Sequence, residues 1–194
     1  MSPTPSLCAA ESFNAAALRE GWPAICDHTL KFDSSNLADL LSIWSRFALE
    51  GCTPSRGQLS PQTLKPLLRS IVIYERVQDG TCVRRYRVRL VGSSMAAVIG
   101  DLTGKFLDDV VPESFLPRWH ACLDATLSAR HPLRFLTRSD TNHMEFLVGE
   151  YFSAPMLAAD GSESMILGGS HFDGRRPWAT VEREARAALA AING

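Results

Sequence analysis

Two runs of strand-forming residues, Ser70–Val77 and Cys82–Val91, are separated only by Gln78-Asp79-Gly80-Thr81. Asp-Gly favours the positive φ angles of a tight hairpin, and a parallel pairing would need a connection of about a dozen residues or more. The two runs are therefore predicted to pair antiparallel. A helical insert, not a third strand, follows them. Ser93 can cap a short helix through Ile99 that ends at Gly100, and "DLTGKFLDDV" reads as tight turns. A longer helix then begins near Leu116, because Pro117 fits only its first turn. It sets Phe115, Trp119, Leu123, Thr126 and Leu127 on one side.

Three more strand runs follow. "PLRFLTR" (132–138) and "MEFLVGEYFSAPM" (144–156) flank the polar turn "SDTNH", and "SMILGGSHF" (164–172) follows a second Asp-Gly, Asp160-Gly161. Helices inserted midway through an antiparallel sheet define an α+β domain with helices on one face of the sheet, an arrangement that can leave a pocket between the two.

Helices flank this unit. Leu37, Leu40, Leu41, Trp44, Phe47 and Ala48 share one face of a helix over Asn36–Leu49. That face must cover either the body of its own domain or a second copy. Ser60-Pro61 marks a short helix running to about Arg69. At the end of the chain, Val181, Ala185, Ala188, Leu189 and Ile192 form the apolar side of a short amphipathic helix. Residues 1–33 read as an N-terminal arm with one weak helix over Ala9–Glu20, 34–175 as the domain with its leading helix, and 176–194 as the C-terminal helix.

A formal net charge of −1 supplies no field that would draw the chain to nucleic acid or an anionic membrane. No apolar run approaches the roughly 20 residues needed to span a bilayer, and the N-terminus lacks the basic start and apolar core of a secretory signal. Cys8, Cys26, Cys52, Cys82 and Cys122 are odd in number and widely spaced, without a CxxC or Cys/His cluster. The expectation is free thiols in a reducing cytoplasm.

The segments "IWSRF", "PSRGQLSPQTLKPLL", "YRVRLVGSSMAAVIGDLTGKFLDD", "APMLAADGS" and "MILGGSHF" lie between Leu37 and Phe172. In this order they resemble the PAS domain, and more narrowly the small bacterial proteins built around one PAS domain that are most familiar from α-proteobacteria. The resemblance implies a five-stranded antiparallel sheet open to a ligand on its helical face. It also implies a sensory or interaction module that binds a small molecule, dimerises, or relays a state to a partner. Only about twenty residues follow the last strand run, so output is expected to pass through another chain.

Several residues invite sharper readings. Arg85, Arg87 and Arg89 alternate with Tyr86, Val88 and Leu90. The arginines suit an edge strand guarded by charge better than a nucleic-acid patch, since no aromatic stacking partners are interleaved. Gly92, Gly100 and Gly104 read as corners. They do not form a phosphate loop, because the Gly100–Lys105 spacing is one residue short of GxxxxGK[ST]. His120 could ligate haem and Cys122 could form a flavin adduct, but packing accounts for both residues and no cofactor is expected. Ser170, His171 and Asp173 are not a triad by adjacency, and Glu145 and Glu150, five apart in a strand run, face opposite sides.

The pocket candidates are Tyr86, Val88, Leu90, Thr103, Phe106, Trp119, His120, Phe135, Thr137 and Met156, with Tyr86, Thr103, His120 and Thr137 supplying polarity. Leu37, Leu40, Leu41, Trp44 and Phe47 are the candidates for a homodimer interface. The sequence thus points to a non-catalytic sensor or adaptor that binds a small, mainly apolar ligand or a protein partner. Two alternatives stay open: an interaction module whose core is filled by its own side chains, and a small isomerase- or hydratase-like enzyme.

Overall fold

The computed structural model describes residues 4–48, 51–78, 84–139, 147–174 and 176–193. The strand runs join one antiparallel sheet: β1 (Ala24–Asp27), β2 (Ile71–Gln78), β3 (Arg84–Val91), β4 (Leu133–Arg138), β5 (Val148–Met156) and β6 (Met165–Asp173). Their spatial order is β1-β4-β5-β6-β2-β3. The β2–β3 pairing is the one the hairpin signal predicts, with Arg76 opposite Tyr86. The Asp79-Gly80 turn, residues 140–143 of the polar turn after β4, Glu145 and Cys82 lie outside the described residues.

Five strands were expected; β1 is the sixth. It pairs with β4, Cys26 opposite Phe135. It comes from the stretch read as a loose arm, which is packed instead. Helix α1 (Pro5–Glu20) begins where Thr4 Oγ1 accepts the Leu7 amide and stops at Gly21 in the left-handed region. Its Ala9, Ala10, Phe13 and Ala17 are buried, and the Phe13 ring meets Phe135 edge-on at 5.1 Å. Asn14 binds both backbone groups of Cys26: its Oδ1 accepts the amide at 2.8 Å and its Nδ2 donates to the carbonyl at 2.9 Å.

The remaining helices are α2 (Ser35–Phe47), α3 (Ser93–Ile99), α4 (Leu107–Val110), α5 (Leu116–Ala129) and α6 (Trp178–Asn193). Only a 3-10 turn at Lys65–Leu67 forms where a helix to Arg69 was expected. The inserted helices α3, α4 and α5 share one face of the sheet, where Met95, Leu107, Leu123 and Leu127 pack on Val72, Tyr74, Tyr86, Val88 and Ile166. Helix α1 lies on this side too, beside α5, while α2 and α6 take the other face. Leu37, Leu40 and Trp44 of α2 are buried there against Ile71, Ile73, Phe152, Ala154 and Leu167, and Val181 of α6 packs on Leu136 and Val148.

The apolar face of α2 is thus taken up by the chain's own sheet. Of the residues expected at a dimer interface, Leu41 and Phe47 keep partial exposure and Leu37, Leu40 and Trp44 do not. The Trp44 indole N–H also donates to the Pro155 carbonyl at 2.8 Å. A β-carbon on Gly169 would sit 2.6 Å from Leu40 Cδ2, so glycine there lets α2 approach the sheet.

One charged network ties the front of the chain to this face. Arg134 reaches Asp27, Asp33 and Glu150 together, at 3.1, 3.0 and 2.6 Å. The Glu150 carboxylate also accepts the amides of Asp33 and Ser34, each at 2.9 Å, just ahead of α2. Glu150 therefore has a structural partner on the face away from α5.

The glycine corners have different causes. Gly104 has φ of +84° and turns the chain so that residues 104–105 run beside β3: Val88 donates to the Lys105 carbonyl, and Gly104 donates to Val88. Gly92 has an ordinary φ of −71°. It is needed because a β-carbon would lie 2.3 Å from the Leu68 carbonyl oxygen.

Candidate ligand cavity

The middle of the sheet's α5-facing side is built from small residues. Across the strands, Leu133, Ser153, Gly168 and Val72 stand in register. Ser153 and Gly168 leave the centre shallow, while Tyr74, Phe135 and Tyr151 rise around it. A helix resting on the tall residues reaches the shallow strip only where Thr126 meets Ser153, and a cavity of about 100 Å³ remains beside that contact. The strands contribute Val72, Tyr74, Phe135, Thr137, Tyr151, Ser153 and Gly168. Helix α3 adds Met95 and Ile99; α5 adds Arg118, Trp119, Cys122 and Leu123. Arg138 and Ser139 complete the wall near the end of β4. Gly149 gives the Tyr151 ring its place, since a β-carbon there would lie 2.4 Å from Tyr151 Cε2.

Two hydrogen bonds hold α5 down. Tyr86 donates its phenol proton to Asp124 Oδ1 at 2.5 Å. Thr126 donates to the Cys122 carbonyl at 2.9 Å, so the Ser153 hydroxyl, 2.8 Å away, donates to Thr126. On its other side α5 meets α1, where Ala121, Cys122 and Ala125 pack against the buried side chains of that helix.

Among the described residues no carboxylate lines the cavity. Burial pushes the Cys122 thiol up to about 12, only partly offset by the nearby Arg118 charge. Burial also raises the phenols of Tyr74 and Tyr86 well above their ordinary value, with the Asp124 hydrogen bond a further cause at Tyr86. Of these groups Tyr74 and Cys122 line the cavity, so its wall holds a neutral phenol and a protonated thiol beside the guanidinium groups of Arg118 and Arg138.

Of the sequence candidates, Trp119, Phe135 and Thr137 line the cavity. Tyr86 and Val88 lie on the same side of the sheet but are sealed in packing. Leu90 and Met156 belong to the opposite face, packed with the α2 cluster. For Leu90 the reason is a bulge between Ile73 and Tyr74, which breaks the alternation that placed it with Tyr86 and Val88. Thr103 sits in the corner, donating its amide to Asp101 Oδ1 and accepting from the Val91 amide. That amide contact and the Thr103 hydroxyl hold the Asp101 carboxyl below its ordinary range. Phe106 lies beneath Arg85, with the guanidinium carbon 4.2 Å from the ring centre.

His120 stacks edge-on against Tyr86 at 5.5 Å, and its Nε2 faces Asp108 Oδ2 at 3.6 Å instead of the cavity. Ser170 is buried on the α5 side and His171 is exposed on the other. No group of three metal-ligating side chains occurs among the described residues. Sequence reasoning missed Arg118, Ser153 and Gly168 as wall residues. Glycine inside a strand run was the available signal, since it marks a place where something approaches closely or space is left.

A PAS-domain family model matches residues 32–170, well over half of the chain, and the chain belongs to that family. No curated protein matches. Among solved structures, an RNA-binding light-oxygen-voltage receptor is similar with a TM-score of 0.44 and 13% identity. The match covers 74% of this chain and 40% of the receptor, so the chain spans less than half of that protein. No helix among the described residues is long and apolar enough to cross a membrane.

Proposed function

We propose that this chain is a non-catalytic PAS-type sensor whose ligand enters the cavity between α5 and the sheet. The mainly apolar space of about 100 Å³ between α5 and the sheet carries this reading. An engineered apolar cavity of about 150 Å³ takes benzene, so a space of this order suits one ring or a short aliphatic chain.

Occupancy would act through α5. The helix is fixed at Tyr86–Asp124 and Thr126–Ser153 and backed by α1, so a guest beneath it favours one placement of both helices. A tenfold preference corresponds to about 1.4 kcal/mol, within reach of a few differential contacts. The altered surface would then be read by another protein.

Native mass spectrometry of gently purified protein tests this. A copurifying small mass that disappears on partial unfolding supports the sensor. An unliganded mass, with no binder found in a fragment screen, favours the interaction module.

A further inference from the structure

We propose that the ligand is a neutral single ring bearing one carbonyl group, and that the Tyr74 hydroxyl donates a hydrogen bond to that carbonyl. This deepens the sensory reading above and rests on it. Tyr74 of β2 is only 6% exposed and lines the cavity. Among the described residues no hydrogen-bond partner meets its hydroxyl. A β-carbon on Gly168 would stand 3.6 Å from Tyr74 Cε2, the ring carbon beside the one that carries the hydroxyl. The polar end of the phenol therefore lies over the shallow strip of the sheet, where the space is.

The other hydroxyl and guanidinium groups of the wall are already engaged. Thr137 donates to the Pro23 carbonyl at 2.8 Å, and Ser153 donates to Thr126. Arg118, Arg138, Ser139 and Tyr151 have partners within the chain, so the guest need bring no charge. Burial, with Tyr151 and Cys122 as lesser causes, holds the Tyr74 proton well above the ordinary phenol range, so the group stays a donor. A buried donor without an acceptor is costly, and a guest that supplies one removes the cost. A carbonyl oxygen is a neutral acceptor and adds no donor, which suits a wall in which no described carboxylate could receive one. Trp119 meets Tyr74 edge-on at 6.5 Å and Phe135 shares the wall, so a flat ring packs against them in an offset or edge-on arrangement.

Benzaldehyde and styrene, alike in shape and differing by an oxygen for a methylene group, are the probes. Saturation-transfer NMR on the full chain measures their affinities, and infrared difference spectra follow the benzaldehyde carbonyl band. Styrene is the more hydrophobic, so the ratio of the two affinities is compared between the wild type and Tyr74→Phe. The substitution should weaken benzaldehyde about tenfold and leave styrene unchanged or tighter. The carbonyl band, shifted to lower frequency in the wild type, should return toward its position in an apolar solvent. Tyr74→Phe removes no hydrogen bond among the described residues, so its melting temperature should not fall below that of the wild type. An unchanged affinity ratio overturns the proposal, as does a carbonyl band that is the same in both proteins, and the cavity then stands as an apolar site. A Tyr74→Phe protein that fails to fold, or melts well below the wild type, shows the hydroxyl engaged within the chain and overturns it too. Binding of neither probe at millimolar concentration overturns this proposal and the sensor reading together.

Discussion

Arg134 Nε stands 2.6 Å from Glu150 Oε1, and both side chains are buried, with 9% and 6% of their surface exposed. Asp27 and Asp33 share the same guanidinium, so one cation links β1, the segment ahead of α2, β4 and β5. Removing the cation strands two buried carboxylates. Arg134→Met should therefore cost about 3–5 kcal/mol in urea unfolding, and Arg134→Met with Glu150→Leu should regain part of the loss. A single-variant loss below about 1 kcal/mol would show that the network is not holding these elements.

The Tyr86–Asp124 bond makes a second prediction. Tyr86→Phe removes the donor and leaves a half-buried carboxylate, which should cost about 1.5–3 kcal/mol. Asp124→Asn keeps an acceptor for the phenol and should cost less. Chemical denaturation of both variants measures the difference, and an equal loss would refute the assignment of donor and acceptor.

Gly92→Ala should be among the most damaging single-methyl additions. The new carbon meets the carbonyl oxygens of Leu68 and Arg69 at 2.3 and 2.5 Å, and backbone cannot step aside as a side-chain tip can. Overpacking of this kind costs about 1–3 kcal/mol or more. The same change at Gly57, whose added carbon would have only Ser55 Oγ nearby at 3.9 Å, should leave the melting temperature nearly unchanged.

Thiol chemistry supplies a pH prediction. The folded Cys122 thiol holds its proton up to about 12, against an ordinary value of 9.0. The folded state therefore binds that proton more tightly than the unfolded chain. The associated stability is complete below pH 9 and is lost as pH rises toward 12, by about 1.4 kcal/mol for each unit. Burial pushes Cys26 in the same direction. Melting temperature should thus fall steeply from pH 9 upward, and Cys122→Ala should flatten the fall. At neutral pH a disulfide reagent should label exposed Cys8 and Cys52 quickly and Cys26 and Cys122 slowly. Rapid labelling of Cys122 would mean that the cavity opens freely.

Much of this architecture was legible in the residues because its signals are local. Alternation and the Asp-Gly pair give β2 and β3, and helical spacing gives α2, α5 and α6. The family match over residues 32–170 agrees with the resemblance seen in the motifs. What was hidden depends on neighbours distant in sequence. β1 is only four residues long and exists because β4 offers an edge. The bulge that sends Leu90 to the far face arises in the register of a strand pair. The cavity itself follows from Ser153 and Gly168 lying side by side on different strands. Trp119, Phe135 and Thr137 were found because large or polar residues on a core-facing side are conspicuous. Arg118 was passed over because an arginine in a first helical turn ordinarily faces water.

The two outer strands share a feature whose effect reaches beyond stability. Asn14 occupies both outward backbone groups of Cys26 in β1, and residues 104–105 occupy those of Val88 in β3. Each margin of the sheet is thereby closed from within, apart from the start of β3, where Arg85 is paired with Asp108 and Asp109. A foreign strand finds little to continue, which suppresses runaway stacking of copies. Recognition by another molecule must then be made by side chains on helical or loop surfaces, the same surfaces that a shift of α5 and α1 would reshape.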